Sequence, residues 1–266
     1  MKVYISADME GIAGVVGREQ LVPEGFEYEK FREFMTAEVN AAIEAARDAG
    51  ATEIVVSDSH GNGQNLLLDR LPQDIQLVRS WPRPLGMMQG IDDSFDAALF
   101  IGYHASAGNS GGIAAHTVSS KAFSSVKIDG EETSEGELNA LIAGHFGVPV
   151  VMVSGDDAAI DEICGQLGAI EGAIVKWHYS HTSARTLMPV AAQNIIRDKV
   201  KAGLARRDEI EPLRPKEQMT LDLSFRKNRL AKRAASLPDV EVVDSRSVRF
   251  VGSIIEISEF IETACG

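Results

Sequence analysis

A chain of 266 residues, 44% of them hydrophobic and 24% charged, has the composition of a soluble globular protein and the length to bury a real core. With 26 Lys plus Arg against 39 Asp plus Glu, its formal charge of −13 repels phosphate backbones and argues against nucleic acid as a partner. No apolar run approaches the roughly 18 residues of a membrane helix, the N-terminus has no signal pattern, and Cys164 and Cys265 lack CxxC spacing. A cytoplasmic protein without membrane contact is expected, and any metal it binds must be held by carboxylates and imidazoles.

The first strand, Met1-Lys2-Val3-Tyr4-Ile5, runs into the turn Ser6-Ala7-Asp8-Met9-Glu10-Gly11. Residues i and i+2 of extended backbone point to one side, so Asp8 and Glu10 can aim their oxygens at one point, as a hard or borderline cation requires. A polar strand end with Asp8 capping a turn explains the same residues. After a loop containing Gly11, Gly14, Gly17 and Pro23, an amphipathic helix is expected over about 28–48. Phe31, Phe34, Met35, Val39, Ile43 and Ala46 recur there at helical spacing until Gly50 stops it. The glycines read GxxGxxG, not GxGxxG, and no acid follows the second strand in the manner of a dinucleotide fold, so no Rossmann nucleotide site is expected.

The β-branched run at 52–57 predicts a buried strand that empties into Asp58-Ser59-His60-Gly61-Asn62-Gly63. A short helix near 65–70, a strand near 75–78 and the turn Trp81-Pro82-Arg83-Pro84 follow. The apolar strand Ala97-Ala98-Leu99-Phe100-Ile101-Gly102 delivers His104 at its end. One loop histidine is usually a solvated or packed residue, but two histidines and two acids, each at a strand end, point to a shared site. Strands alternating with helices imply a parallel sheet whose ligands bind outside the carboxyl ends of the strands.

From 105 to 125 the chain is dominated by Gly, Ala and Ser around His116, a composition found in loops that cover active sites and also in plain flexible surface. A strand at 123–128 leads through Asp129-Gly130 to Ser134-Glu135-Gly136-Glu137 and a helix to about His145. Ser134 with Glu137 fits a capping box, which gives Glu137 a structural task and leaves Glu135 at the first helical position, where the helix dipole also favours an acid. His145, late in the helix, suits the negative helix end. Asp156 and Asp157 follow the strand at 148–154 and read as helix caps. A strand at 173–178 is followed by His181 and Arg185, which could line a pocket, and by a helix at 190–206 and a charged, Pro-punctuated linker at 209–217. The remainder reads as a strand at 219–225, a basic helix with Arg226, Lys227, Arg229, Lys232 and Arg233, two strands, and a closing helix from Ile254. In so acidic a chain that basic helix suggests subunit contacts. The expected fold is α/β, a mostly parallel sheet with helices on both faces plus a smaller C-terminal α/β part. Residues 1–190 would form a metal-binding catalytic domain, and 191–266 a region for packing and oligomer contacts.

Asp8-x-Glu10-Gly11, Asp58-Ser59-His60, Gly102-Tyr103-His104, His116 and Glu135 ahead of Leu138-Asn139-Ala140 stand in one order. This set resembles the D-aminopeptidase family of peptidase class M55, the DppA-type dipeptide-operon enzymes, from residue 1 to about 190 and more loosely beyond. The resemblance implies two zinc ions per subunit held by Asp8, Glu10, His60, His104 and Glu135, with His116 as the catalytic histidine. It further implies short peptide substrates with an N-terminal D-residue such as D-Ala, and a homo-oligomer, a decamer with an internal chamber. On that pattern Asp8 would bridge the metals, a metal-activated water would attack, and His116 would stabilise the oxyanion or protonate the leaving amine. A dinuclear phosphoesterase uses similar ligands but wants cations for phosphate, and few besides Arg18 and Arg185 stand in this region. A non-catalytic metal- or peptide-binding protein of a transport system is the other alternative.

Overall fold

The computed structural model describes residues 1–265. In chain order its first half comprises β1 (Lys2–Ala7), α1 (Arg18–Leu21), α2 (Tyr28–Asp48), β2 (Glu53–Asp58), β3 (Gln76–Val78), β4 (Ala97–Tyr103), β5 (Phe123–Ile128) and β6 (Glu131–Glu132). It continues through α3 (Glu135–His145), β7 (Val150–Asp156), α4 (Asp157–Leu167), β8 (Glu171–Ser180), β9 (Ser183–Thr186) and α5 (Pro189–Ala205). The last stretch holds β10 (Met219–Phe225), α6 (Asn228–Ala234), β11 (Val240–Val242), β12 (Ser247–Gly252) and α7 (Ile254–Cys265).

The central strands β1, β4 and β7 are continuous apolar runs with almost no polar alternation, as burial on both faces demands. They lie in a seven-stranded sheet of order β3-β2-β1-β4-β7-β8-β9, parallel throughout except for β9. α2 buries Phe31, Met35, Val39, Ile43 and Ala46, the stripe expected from its spacing, and packs with α5 on one face of the sheet. Each fully buried Val or Ile of that stripe contributes on the order of 1.5–3 kcal/mol. α3 and α4 lie together on the other face, with α7 against α3. The expected α/β class with helices on both faces is what the chain adopts. No helix among the described residues is long and apolar enough to cross a membrane.

A second, antiparallel sheet has the order β11-β12-β10-β5-β6. β5, from the first 190 residues, pairs with β10 of the last 50 on one side and with β6 on the other, so this sheet joins mid-chain strands to C-terminal ones.

From β1 the parallel sheet grows outward to β2 and β3 on one side, and from β4 to β7 and β8 on the other. The order therefore reverses between β1 and β4, and the crevice at such a switch point is where open α/β sheets bind ligands. Here the two strand ends touch. Gly11 N–H donates to Gly102 O at 2.7 Å, and Asp8 N–H to Ile101 O at 2.8 Å. A Cβ on Gly11 would lie 2.1 Å from Tyr103 O, and one on Gly102, whose φ is +75°, would lie 2.2 Å from Asp8 O. Only glycine allows the acidic turn and the histidine-bearing turn to approach this closely.

Candidate metal centre

Four segments converge on the switch point. Asp8 and Glu10 leave β1, His60 lies two residues beyond β2, His104 follows β4 directly, and Glu135 is the first residue of α3. All five are buried. Asp8 sits in the middle, with Oδ1 3.3 Å from His60 Nδ1 and Oδ2 3.4 Å from His104 Nε2. On one side Glu10 Oε2 faces the same His60 Nδ1 at 2.9 Å. On the other, Glu135 Oε1 lies 3.3 Å from His104 Nε2 and 3.8 Å from His116 Nε2. The His116 ring stacks on His104 with centroids 4.1 Å apart and planes 9° from parallel. Every site residue expected from the sequence is thus in one cluster, and Ser134 caps α3 by accepting from Glu137 N–H at 3.0 Å, which frees Glu135 for the site.

Backbone carbonyls fix the imidazole tautomers. His60 Nε2 lies 2.7 Å from Leu21 O, His104 Nδ1 2.9 Å from Ala105 O, and His116 Nδ1 2.9 Å from Ala114 O. A carbonyl only accepts, so each of those nitrogens bears a hydrogen, and the opposite nitrogen is the one that carries a second proton or gives it up to bind a metal. All three opposite nitrogens face carboxylate oxygens. Acceptor against acceptor is unfavourable unless positive charge lies between them, and histidine ligands of metals are oriented by the same kind of contact. Asp8 Oδ2 and His104 Nε2 are indeed buried without a hydrogen-bond partner, an exception that buried polar atoms rarely show without a reason.

The electrostatics agree. Burial, with Glu10 beside it, pushes the Asp8 carboxyl up to about 8. Burial also works against ionised Glu10 and Glu135, yet His60 outweighs it at the first and His104 at the second, so both stay below the usual carboxylate range. Against their own burial, Glu10 draws His60 well up, and Glu135 does the same for His104. His116 moves the other way, pushed down by burial and by neighbouring His104, so it is the neutral imidazole of the group. Carboxylates and imidazoles at these spacings demand cationic charge, and a divalent ion entering would displace protons to supply it. Two overlapping sets, Asp8 with Glu10 and His104, and His104 with His116 and Glu135, each offer ligand atoms within 4.8 Å of one another. The residues fit a metal.

Two residues that hold this geometry escaped the sequence reading. Lys176, fully buried on β8, donates from Nζ to the backbone carbonyls of Glu10, Ile12 and Val15, the last at 2.7 Å. Glu38, buried on α2, accepts from Ala13 N–H of the same loop at 2.9 Å. Burial lowers Lys176 to about 8, and the negative field of Asp156 and Glu38 keeps it charged at neutral pH. The signal was a lysine inside an apolar strand and an acid on the apolar side of a helix. Replacing the cation in Lys176→Met leaves the carbonyls of Glu10, Ile12 and Val15 without its ammonium. It is expected to cost about 3–5 kcal/mol in urea unfolding, since each buried acceptor left unsatisfied costs about 1–3 kcal/mol. Unchanged stability would mean water replaces the ammonium there. Of the two residues with pocket potential, Arg185 lies over the Trp177 ring at 4.4 Å, and exposed His181 braces the His116 loop through its carbonyl, which accepts from Ala114 N–H at 3.0 Å; His178, on β8, is tied to Asp157 at 2.9 Å.

An open α/β sheet with acids and imidazoles gathered at its switch point is the architecture of a metallohydrolase. The D-aminopeptidase family model, peptidase M55, matches residues 1–263, and the chain belongs to that family. It is therefore an enzyme of the aminopeptidase class. A D-aminopeptidase of Bacillus subtilis (strain 168) is 34% identical over 245 residues, covering 91% of this chain and 88% of that protein. Among solved structures, the Zn-dependent D-aminopeptidase DppA from Bacillus subtilis, described as a self-compartmentalizing protease, matches with a TM-score of 0.95 and 31% identity over 100% of this chain and 97% of its own.

Proposed function

We propose that this enzyme removes D-residues, D-Ala among them, from the N-termini of short peptides, with two zinc ions held by Asp8, Glu10, His60, His104 and Glu135. The observation that carries the reading is Asp8, whose two carboxylate oxygens face two different histidines from the middle of the cluster. Glu10 and His60 would complete one half, His104 and Glu135 the other, with Asp8 shared. Bound there, zinc supplies Lewis acidity and a water acidic enough to deprotonate near neutral pH. The chain's own groups do the rest. Neutral His116, with Nε2 free, can take a proton and return it to the leaving amine or hydrogen-bond the oxyanion. A carboxylate of the cluster is the natural partner for the substrate's ammonium group. DppA's self-compartmentalizing assembly supports a homo-oligomer, a decamer by resemblance. Residues 191–266, with exposed Val242, Val243 and Val251, would serve packing and subunit contacts while 1–190 carry the chemistry.

A phosphoesterase is disfavoured because, among the described residues, the carboxylates Asp8, Glu10 and Glu135 pair with histidines and with no Lys or Arg, and the nearby Lys176 spends its ammonium on backbone carbonyls. The test is turnover of paired D-Ala and L-Ala dipeptides and of bis-p-nitrophenyl phosphate, with zinc counted by native mass spectrometry. The expected result is hydrolysis of the D-dipeptide with two zinc ions per subunit. Preference for the L-dipeptide or the phosphodiester would overturn the reading.

A further inference from the structure

Behind the cluster, a single file of buried polar side chains joins the same four segments that bear its acids and histidines. Asn139 Nδ2 donates to the Tyr103 hydroxyl at 2.9 Å, and Tyr103 donates to Ser6 Oγ at 2.8 Å. The Ser6 and Ser59 hydroxyls are 3.2 Å apart, and Ser59 donates on to Ser57 Oγ at 3.0 Å, where Arg83 Nη1 also donates at 3.0 Å. All six residues are buried. An amide nitrogen only donates, so Tyr103 must spend its proton on Ser6, and Ser6 on Ser59. The Tyr103 and Ser6 hydroxyls then point one way, and Ser59 passes its proton on to Ser57 Oγ or to the nearby carbonyls of Ser57 and Met87 at 3.2 Å; hydrogen bonds aligned in series reinforce one another.

The placement follows the site. Ser6 precedes Asp8 by two residues on β1, Ser59 adjoins His60, Tyr103 adjoins His104, and Asn139 lies one helical turn beyond Glu135 on α3. Folding alone does not ask for such a file, because hydroxyls and an amide in an apolar interior cost desolvation that apolar side chains of like shape avoid. We propose that the file sets the spacing of the four segments, and that Tyr103 and Ser6 are positioning residues for the metal-binding cluster. The inference rests on the ligand set proposed above.

Tyr103→Phe deletes one hydroxyl and keeps the ring stacked on Phe100 at 4.5 Å. Ser6→Ala removes its acceptor and carries the test should Tyr103→Phe fail to fold. Thr36→Val is the matched control. Thr36 is also buried, but it lies on α2, where its hydroxyl donates to Arg32 O at 2.7 Å and accepts from Leu67 N–H at 3.1 Å, away from the file. Zinc affinity of each full-length folded protein is read by chelator competition, with kcat and KM on a D-Ala dipeptide. Tyr103→Phe and Ser6→Ala are expected to bind zinc about tenfold or more weakly, the lower range for partners that orient ligands. Their kcat should fall at unchanged KM, while Thr36→Val holds zinc like the wild type. If all three variants bind zinc like a zinc-binding wild type, or all three weaken alike, the file only supports the fold and the inference is overturned. A wild type that binds no zinc would instead overturn the ligand set itself, and this inference with it.

Discussion

Asp8→Ala is expected to empty both halves of the centre and abolish turnover. The carboxylate stands between His60 and His104, so its removal would leave each half of the proposed centre one ligand short and would lower the negative charge that attracts a cation. Lewis-acid stabilisation is worth several kcal/mol, and at about 1.4 kcal/mol per tenfold in rate the loss is about 10³-fold or more. Stability of the metal-free protein should move the other way. In the fold the Asp8 carboxyl is raised to about 8, by burial first and by Glu10 second, whereas an unfolded aspartate titrates near 3.9. Between those values the unfolded chain binds fewer protons than the folded one, so this group costs stability increasingly as pH rises from about 4 to 8. The near-isosteric Asp8→Asn removes that cost. Metal-free Asp8→Asn should therefore resist urea at least as well as metal-free wild type at pH 8, while zinc stabilises only the wild type. An Asp8→Ala protein that keeps two zinc ions and normal turnover would refute the shared-ligand role.

That opposition of sign separates a functional cluster from ordinary core, and much of the cluster could be read from the sequence. β1 and β4 are apolar runs flanked by Asp8-x-Glu10-Gly11 and Gly102-Tyr103-His104, and periodicity reports such burial well. The parallel sheet then brings their carboxyl ends together, so His60 and His104 fell where strand alternation put them. Three features were not legible. Which oxygen of Asp8 meets which histidine is a matter of side-chain rotation. β5 pairs with β10, almost a hundred residues away, and no local pattern encodes a partner so distant. The two-residue β6 and four-residue β9 are too short to show alternation, so the hairpin at the sheet edge that carries His181 and Arg185 was not legible. Lys176 and Glu38 were hidden for a related reason. A pattern of burial says that a side chain is inside, but not that the backbone of a neighbouring loop is waiting there for its charge.

His116→Ala should divide the site differently from any change at Asp8, keeping the metals and losing the chemistry. Its side chain, 15% exposed against 1% for His104, comes from the Gly-rich loop and not from a strand end. The loop is tied back by His116 N–H to Ala105 O at 3.2 Å and by Ala114 N–H to His181 O at 3.0 Å, so the ring is held against His104 by its own backbone. Because burial and His104 push its pKa down, His116 is neutral at working pH and its Nε2 is ready to accept a proton, the state a general base or proton carrier needs. Loss of such a group costs about 10²–10⁴-fold in kcat. KM and zinc content should stay near those of the wild type, and His116→Gln, which can donate a hydrogen bond but cannot carry a proton, separates the two roles. Activity restored by Gln would mark oxyanion stabilisation, and activity lost equally in Ala and Gln would mark proton transfer. Loss of one zinc from His116→Ala would identify the set His104, His116 and Glu135 as a ligand triad and move His116 from catalysis to coordination.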